Sequence, residues 1–188
     1  MPTVPPLADT AAVVARLRAS TGAYDHEPVD ILGHCLQCAA ALAASHPDDE
    51  QLQVAGLVHD LGWLATDTHG VEVVLDARHD RVGAALVRDA LGPRVARLVG
   101  GHVEAKRYLV AAEPGYAATL SPRSVATLSF QGGPSDAAEI ARFDRDPDRD
   151  ALLALRRADD AAKDPDAVVP GLDVWIRVIE RVAAAARA

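Results

Sequence analysis

A histidine and an aspartate stand side by side in Leu57-Val58-His59-Asp60-Leu61-Gly62, behind an apolar run and ahead of a glycine. This pair constrains the chain more than any other feature. Both side chains can reach one cation: imidazole suits iron, zinc and manganese, and a carboxylate can bridge two metal ions. One such dipeptide arises easily by chance. Its weight comes from His34 upstream and from His79, His102 and Asp159 downstream, which complete a dispersed H…HD…H…H…D series. Each falls on a segment that reads as helical, so a fold that uses them must bring helices from along the whole chain to one centre. Six ligands exceed one ordinary site and suit two metals. The chain reads as a dinuclear metalloprotein.

Helical periodicity dominates the sequence. Asp9 caps an expected helix to about Ser20, closed by Gly22. Pro28 opens a second, to about Ser45, with Ile31, His34 and Cys38 on one face. Asp48 or Asp49 opens a third, whose stripe Leu52, Ala55, His59 stops at Gly62. Residues 65–77 read as loop, with room for a short strand at 71–75. A fourth helix over 78–91 puts His79 in its first turn, and Pro93 starts a fifth that runs through His102 to Leu109, with Gly100–Gly101 a place to bend. Further helices are expected over 122–130, 135–143, 149–163 and 172–186, punctuated by Gly132-Gly133-Pro134 and Asp146-Pro147-Asp148. Hydrophobic residues make up 49% of the 188 but aromatics only 4%, so the core must be built from Ala, Val and Leu. Alanine richness favours helix. The expectation is one all-α domain over 1–188, a single helical bundle with a frayed end at 1–8.

Net charge is −8 and no basic run is interleaved with aromatics, which argues against a nucleic-acid partner. The first residues carry prolines and no basic stretch, so no signal peptide is read there. No apolar run reaches the roughly 18–20 residues that span a bilayer, and a soluble, cytoplasmic protein is expected. Cys35 and Cys38 form a C-x-x-C, a spacing shared with redox motifs and half zinc sites. With no second pair and a helical pattern around them, they read as buried free thiols, not as part of a disulfide framework.

Asp159 and Asp160 compete for the last carboxylate position. Asp159 shares an apolar stripe with Leu152 and Leu155, whereas Asp160 lies near Leu153, Arg156, Arg157 and Asp164 on a mostly charged face. An inward carboxylate without a partner is costly, which a buried metal explains; an ion pair with Arg156 or Lys163 is the plainer explanation. His102 shares a face with Leu98, Val99 and Lys106. A lone histidine there is more often a satisfied core residue, but four histidines and two carboxylates recurring on inward faces favour ligation. His26 and His46 stand near prolines in expected loops. His69, in a polar run, is the rival of His79, which is preferred because it begins a clear amphipathic helix.

On these residues the sequence resembles the HD-domain superfamily, whose H…HD…H…H…D order covers most of the chain. Most members are metal-dependent phosphohydrolases. A small branch, related to myo-inositol oxygenase, uses the same ligands for a mixed-valence di-iron centre that activates oxygen. Five further stretches resemble the PhnZ-type oxygenases of that branch, which cleave the carbon–phosphorus bond of 1-hydroxyphosphonates. They are Tyr24-Asp25-His26-Glu27, His102-Val103-Glu104-Ala105-Lys106-Arg107-Tyr108-Leu109, Leu120-Ser121-Pro122, Gln131-Gly132-Gly133-Pro134, and Leu155-Arg156-Arg157-Ala158-Asp159-Asp160-Ala161-Ala162-Lys163.

The resemblance implies that His34, His59, Asp60, His79, His102 and Asp159 hold two iron ions, Fe(II)/Fe(III), with Asp60 bridging and O2 as co-substrate. It implies that Lys106, Gln131 and Arg156 grip the phosphonate, with a hydroxyl from Thr127 or Ser129. Tyr24 and Glu27 would belong to a mobile segment over the site, Glu27 meeting a substrate ammonium. Spacing agrees in part: Lys106 lies one turn after His102 and Arg156 nearly one turn before Asp159, so both set cations beside the expected metals. Relatives often carry a second histidine three residues after the Asp. Here Trp63 stands there, either as packing or as a face for a cation, best a methylated ammonium.

The leading expectation is therefore an oxygenase that converts a small, amine-bearing 1-hydroxyphosphonate, such as 2-amino-1-hydroxyethylphosphonate or an N-methylated form, to phosphate and a carboxylic acid. The runner-up is an HD phosphohydrolase acting on a nucleotide or phosphate ester through a metal-activated water. Both substrates are phosphorus oxyanions, so the cations do not separate the two. Tyr24, Glu27 and the Gln131-Gly132-Gly133 turn favour the oxygenase. A non-catalytic signalling domain is the third reading, disfavoured by the complete ligand set.

Overall fold

Acidic side chains set where the first three helices begin. Asp9 accepts the N–H of Ala12 at 2.9 Å and opens α1 (Thr10–Ala19). Asp30 accepts the N–H of Gly33 and opens α2 (Ile31–Ser45). That start lies three residues beyond Pro28, because the Asp30 carboxylate also takes the N–H of Gly22 at 2.7 Å and ties the α1–α2 connection down. Asp49 caps α3 (Glu50–Val58), whose C-cap is His59, and a 3-10 turn at Leu61–Ala65 follows. In this computed structural model the described residues are 5–23, 27–65 and 78–187; Tyr24, His26, His69 and the strand expected at 71–75 lie outside them.

The chain continues with α4 (His79–Leu91), α5 (Pro93–Ala112), a 3-10 turn at Tyr116–Thr119, α6 (Pro122–Phe130), α7 (Ala137–Phe143), α8 (Arg149–Ala161) and α9 (Leu172–Arg187). Pro93 and Pro122 occupy first-turn positions, where a missing N–H costs nothing. Asp136 and Glu139 close a reciprocal capping box on α7. Nine α-helices and no strand are found among the described residues, so the all-α expectation holds.

The long helix α5 lies at the centre, packed against α4, α8 and α3, while α2 packs on α3 and α8. The core between them is leucine, valine and alanine, with Phe143 and Trp175 among its few large rings. Gly100–Gly101 do not interrupt α5, which is continuous through them. A Cβ at Gly101 would come 2.5 Å from Leu152 Cδ2 on α8, so the glycine serves close helix packing. Gly62 matters more: a Cβ there would lie 1.9 Å from the carbonyl oxygen of His79. The turn after His59-Asp60 therefore touches the backbone at the start of α4.

Leu7 corrects the expectation of a frayed end over 1–8. Its side chain is buried and its N–H donates to the Leu86 carbonyl at 2.8 Å, so the chain is tied to α4 at Leu7, while residues 1–4 lie outside the described ones. Cys35 and Cys38 are buried free thiols, and burial pushes both above the ordinary thiol range. No helix among the described residues is long and apolar enough to cross a membrane.

Candidate active site

Five elements deliver six side chains to one place. His34 comes from α2, His59 and Asp60 from the end of α3, His79 from the first residue of α4, His102 from the middle of α5, and Asp159 from the last turn of α8. They form two sets, His34–His59–Asp159 and Asp60–His79–His102, and within each set one ligand atom per residue lies within 4.8 Å of the others. Asp60 faces both. Its Oδ2 is 3.6 Å from His34 Nε2 and 3.5 Å from His59 Nε2, while its Oδ1 is 3.6 Å from His79 Nε2 and 4.0 Å from His102 Nε2. Asp159 divides its oxygens differently: Oδ1 lies 3.3 Å from His34 Nε2, and Oδ2 accepts from Arg156 at 2.6 Å. Both explanations weighed for Asp159, an ion pair and a turn toward the histidines, are thus realised at once.

The ring nitrogens test whether a metal fits. His34 Nδ1 lies 2.8 Å from the Ala162 carbonyl, His59 Nδ1 2.8 Å from that of Gly56, and His102 Nδ1 2.7 Å from that of Val99. A carbonyl only accepts, so each Nδ1 carries the proton and each Nε2 turns a lone pair inward. Yet His34 and His59 approach Nε2 to Nε2 at 3.2 Å, and His79 and His102 at 2.9 Å. The first pair needs a cation between its lone pairs, either a metal ion or the proton that Asp60 and Asp159 hold on His59. In the second, His79 Nδ1 has no hydrogen-bond partner among the described residues, so His79 Nε2 can donate to His102 when no metal is bound. Two imidazoles and one carboxylate per set form the donor combination that suits a redox metal such as Fe(II). The residues fit a metal pair.

Charge within the cluster is uneven. Burial pushes His79 down to about 4 and His102 well below the ordinary imidazole range, so both are neutral donors. Burial also opposes charge on His59, but Asp60 and Asp159 prevail and hold it well above that range. Asp60 is disfavoured as an anion by burial, yet His59, His34 and His79 hold it down at about 2. Without metal, a proton on His59 takes part of the place that a cation fills.

A pocket opens above the cluster. Lys106, one turn along α5 from His102, is buried and donates to Thr127 Oγ1 at 3.0 Å; burial and the nearby Arg156 push its ammonium down to about 7. Ser124, Thr127 and Gln131 present the pocket side of α6 and its end. Ser129 does not: it is exposed, and its hydroxyl donates back to the Ala126 carbonyl at 2.9 Å. At about 100° per residue it points some 200° away from Thr127, so the hydroxyl pair on this face is Ser124 and Thr127.

Arg156 lines the pocket, but all three of its nitrogens donate to protein oxygens: NH1 to Asp159, NH2 to Asp160, and Nε to Asp160 and, at 3.0 Å, to the Tyr116 hydroxyl. Tyr116 in turn donates to Asp160. Asp160 is therefore not on a solvated charged face; it holds Arg156 against Asp159.

Glu27 and Trp63 are also in the pocket, each already engaged. Glu27 Oε1 accepts from Lys163 at 2.7 Å and from the Ser121 hydroxyl at 2.6 Å. The Trp63 ring stacks on His79 with centroids 4.4 Å apart, and the Arg123 guanidinium lies over it at 5.1 Å. The sequence singles out none of Arg123, Ser124 and Tyr116, and Lys163 only as a possible partner of Asp159, whereas it pairs with Glu27. Lys163 and Ser121 sit inside quoted motifs, which was a signal; nothing local marks Arg123 as a neighbour of Trp63.

Among known families, residues 31–160 match the HD domain. The chain belongs to the HD-domain family. Over 154 residues, 81% of this chain and 77% of the relative, it is 34% identical to a 1-hydroxy-2-(trimethylamino)ethylphosphonate dioxygenase (glycine-betaine-forming) of Leisingera caerulea. Over 160 residues, 84% of this chain and 79% of the relative, it is 36% identical to a hydroxymethylphosphonate dioxygenase of Gimesia maris. An uncharacterized protein, L432, of Acanthamoeba polyphaga mimivirus is 32% identical over 129 residues, 66% of this chain and 59% of that one. These names bear out the resemblance of this HD-domain chain to the phosphonate-cleaving oxygenases.

Proposed function

We propose that this chain is an O2-dependent oxygenase that cleaves the carbon–phosphorus bond of a small 1-hydroxyphosphonate, giving phosphate and a carboxylic acid, and that its metals are two irons in the Fe(II)/Fe(III) state. The observation that carries this reading is the pair of His-His-carboxylate sets sharing Asp60, directly beside the buried ammonium of Lys106. Relatives named as phosphonate dioxygenases align over four-fifths of the chain and support the same reaction. The overall change is R–CH(OH)–PO3H2 + O2 → R–COOH + H3PO4, which balances without an external reductant.

When bound, the irons would supply open coordination positions and a redox couple through which electrons pass from the substrate to O2. The protein's own work is to hold and orient. His34, His59 and Asp159 would hold one metal and His79 and His102 the other, with Asp60, whose two oxygens face the two sets, available to both. Lys106 binds the phosphonate, steadied by Thr127, with Gln131 on the same wall. A dianion beside Lys106 offsets the desolvation that depresses its charge, so substrate binding restores the ammonium. Arg156 acts on the metals' side: tied by Asp160 and Tyr116, it fixes one oxygen of Asp159 so that the other faces His34 and His59. Trp63, flat against His79, shields that ligand from water.

The test is protein grown with iron, assayed for O2 uptake and phosphate release on hydroxymethylphosphonate and its C1-substituted homologues. One phosphate per O2 and a coupled Fe(II)/Fe(III) signal in electron paramagnetic resonance are expected. Phosphate released from phosphate esters without O2 would make the chain a hydrolase instead.

A further inference from the structure

Two groups in this pocket have the chemistry to receive a cationic substituent on the substrate, and the protein's own cations engage both. Of the three carboxylates among the described residues that line it, Asp60 and Asp159 face the histidines, which leaves Glu27. Glu27 is ion-paired to Lys163 at 2.7 Å, with the two side chains only 18% and 16% exposed. The same ammonium donates to the Ser121 hydroxyl at 2.9 Å and to that of Ser124 at 3.4 Å, so Lys163 is held by three partners. The aromatic face belongs to Trp63, which is stacked on His79 and carries the Arg123 guanidinium over its ring. A substrate ammonium entering here meets Lys106, Arg123 and Lys163 among the lining residues, and to reach Glu27 it must break a partly buried ion pair.

We propose that Lys163 and Arg123 are specificity-determining residues, which turn this pocket against ammonium-bearing hydroxyphosphonates and toward those whose C1 substituent is uncharged. This rests on the hydroxyphosphonate reading above and reverses the expectation, drawn from Glu27 and Trp63 in the sequence, of an amine-bearing substrate. Lys163 acts as an internal surrogate for the ammonium: it satisfies Glu27 from within the chain, so a substrate cation gains no new partner and adds a repulsion.

The experiment compares 1-hydroxypropylphosphonate with 2-amino-1-hydroxyethylphosphonate, which differ by a methyl against an ammonium of nearly equal size, with hydroxymethylphosphonate as the smallest member. Binding to the iron-loaded full chain is measured by calorimetry without O2, and turnover as phosphate release with O2. A charged hydrogen-bonded partner contributes enough to shift binding by about tenfold or more, so the uncharged compound is expected to bind at least about tenfold tighter than its ammonium counterpart. In Lys163→Met, which releases Glu27, the ammonium-to-methyl affinity ratio should rise by about tenfold; in Lys163→Arg, which keeps the cation, it should stay near the wild-type ratio. Thermal melts identify a variant that has lost its fold, and the wild-type ratio then decides the matter by itself.

Equal or tighter binding of the ammonium compound to the wild type overturns the inference, as does an unchanged ratio in folded Lys163→Met. The oxygenase reading fails separately, if compounds bind with the expected ratio but none releases phosphate with O2. If none of the three binds, both fall together.

Discussion

Replacing Gly62 by alanine tests how the site is assembled, because the residue carries no ligand and yet positions one. Its added Cβ would lie 1.9 Å from the His79 carbonyl oxygen, 2.8 Å from the carbonyl carbon and 2.9 Å from Gly83 N. Ordinary contact begins near 3.5 Å, so one of two backbones must retreat by roughly 1.5 Å. Both neighbours are main chain, and neither can swing aside as the tip of a side chain does. Overpacking of side chains costs about 1–3 kcal/mol, and a clash of backbone on backbone belongs at the upper end, near 3 kcal/mol. For a chain of this size each kcal/mol lowers Tm by about 2–4 °C, which gives a fall of roughly 6–12 °C.

The retreat displaces the first residue of α4, which is His79 itself, from Asp60 Oδ1, now 3.6 Å away. One of the two metals should be lost or weakly held. Gly171→Ala is the control, since a Cβ there meets nothing within 4 Å and surface changes stay within about 0.5 kcal/mol. Circular-dichroism melts and metal analysis read both effects. A Gly62→Ala protein that melts within about 2 °C of wild type and keeps two metals would refute the claim that this glycine sets the His59-Asp60 turn against α4.

Asp60→Ala should remove both metals, since each of its oxygens faces a different set; two metals retained in that variant would sink the bridging role. Asp159→Asn should lose metal by the same analysis, whereas Asp160→Asn should keep it and loosen Arg156. Lys106→Met should keep its metals but weaken phosphonate binding by about 10- to 100-fold, in line with the loss of a charged hydrogen bond. Because burial and Arg156 push Lys106 down to about 7 and the anion binds its protonated form, kcat/KM should fall as pH rises above about 7. That limb should be missing from Lys106→Met; its persistence assigns the titration elsewhere. Metal uptake near neutral pH should release about one proton from His59, which is held above its ordinary range in the metal-free chain, so affinity should weaken as pH falls. Weakly buffered titrations read both.

Much of this could be read locally. Caps at Asp9 and Asp49, proline at the start of α5 and α6, and inward positions for six ligands depend on spacing within one helix, and the helices bring those ligands together. What escaped the sequence depends on closure between distant stretches. Glu27 and Lys163 are 136 residues apart, and Gln37 meets the Asp164 backbone across 127; no periodicity registers such pairs. Ser129 was open as an alternative to Thr127 because both are hydroxyls near one motif, and only the register of α6 against α5 separates them. Asp160 looked solvated because its neighbours in sequence are charged, but Tyr116 and Arg156 fold over it.

The unbroken run of α5 works as a gauge. His102 and Lys106 sit four residues apart on it, about 6 Å along the axis at 1.5 Å per residue, and Gly101 seats that stretch against α8. If His102 holds a metal and Lys106 the phosphonate, as proposed, the spacing between metal ligand and anion clamp is set by this one helix. The wall that meets the substituent is assembled instead from three separate stretches, around Glu27, Arg123 and Lys163. A mutation there can retune which molecules enter without touching the ruler that measures their phosphonate end. Selectivity and chemistry can therefore drift apart in this scaffold, one amino acid at a time.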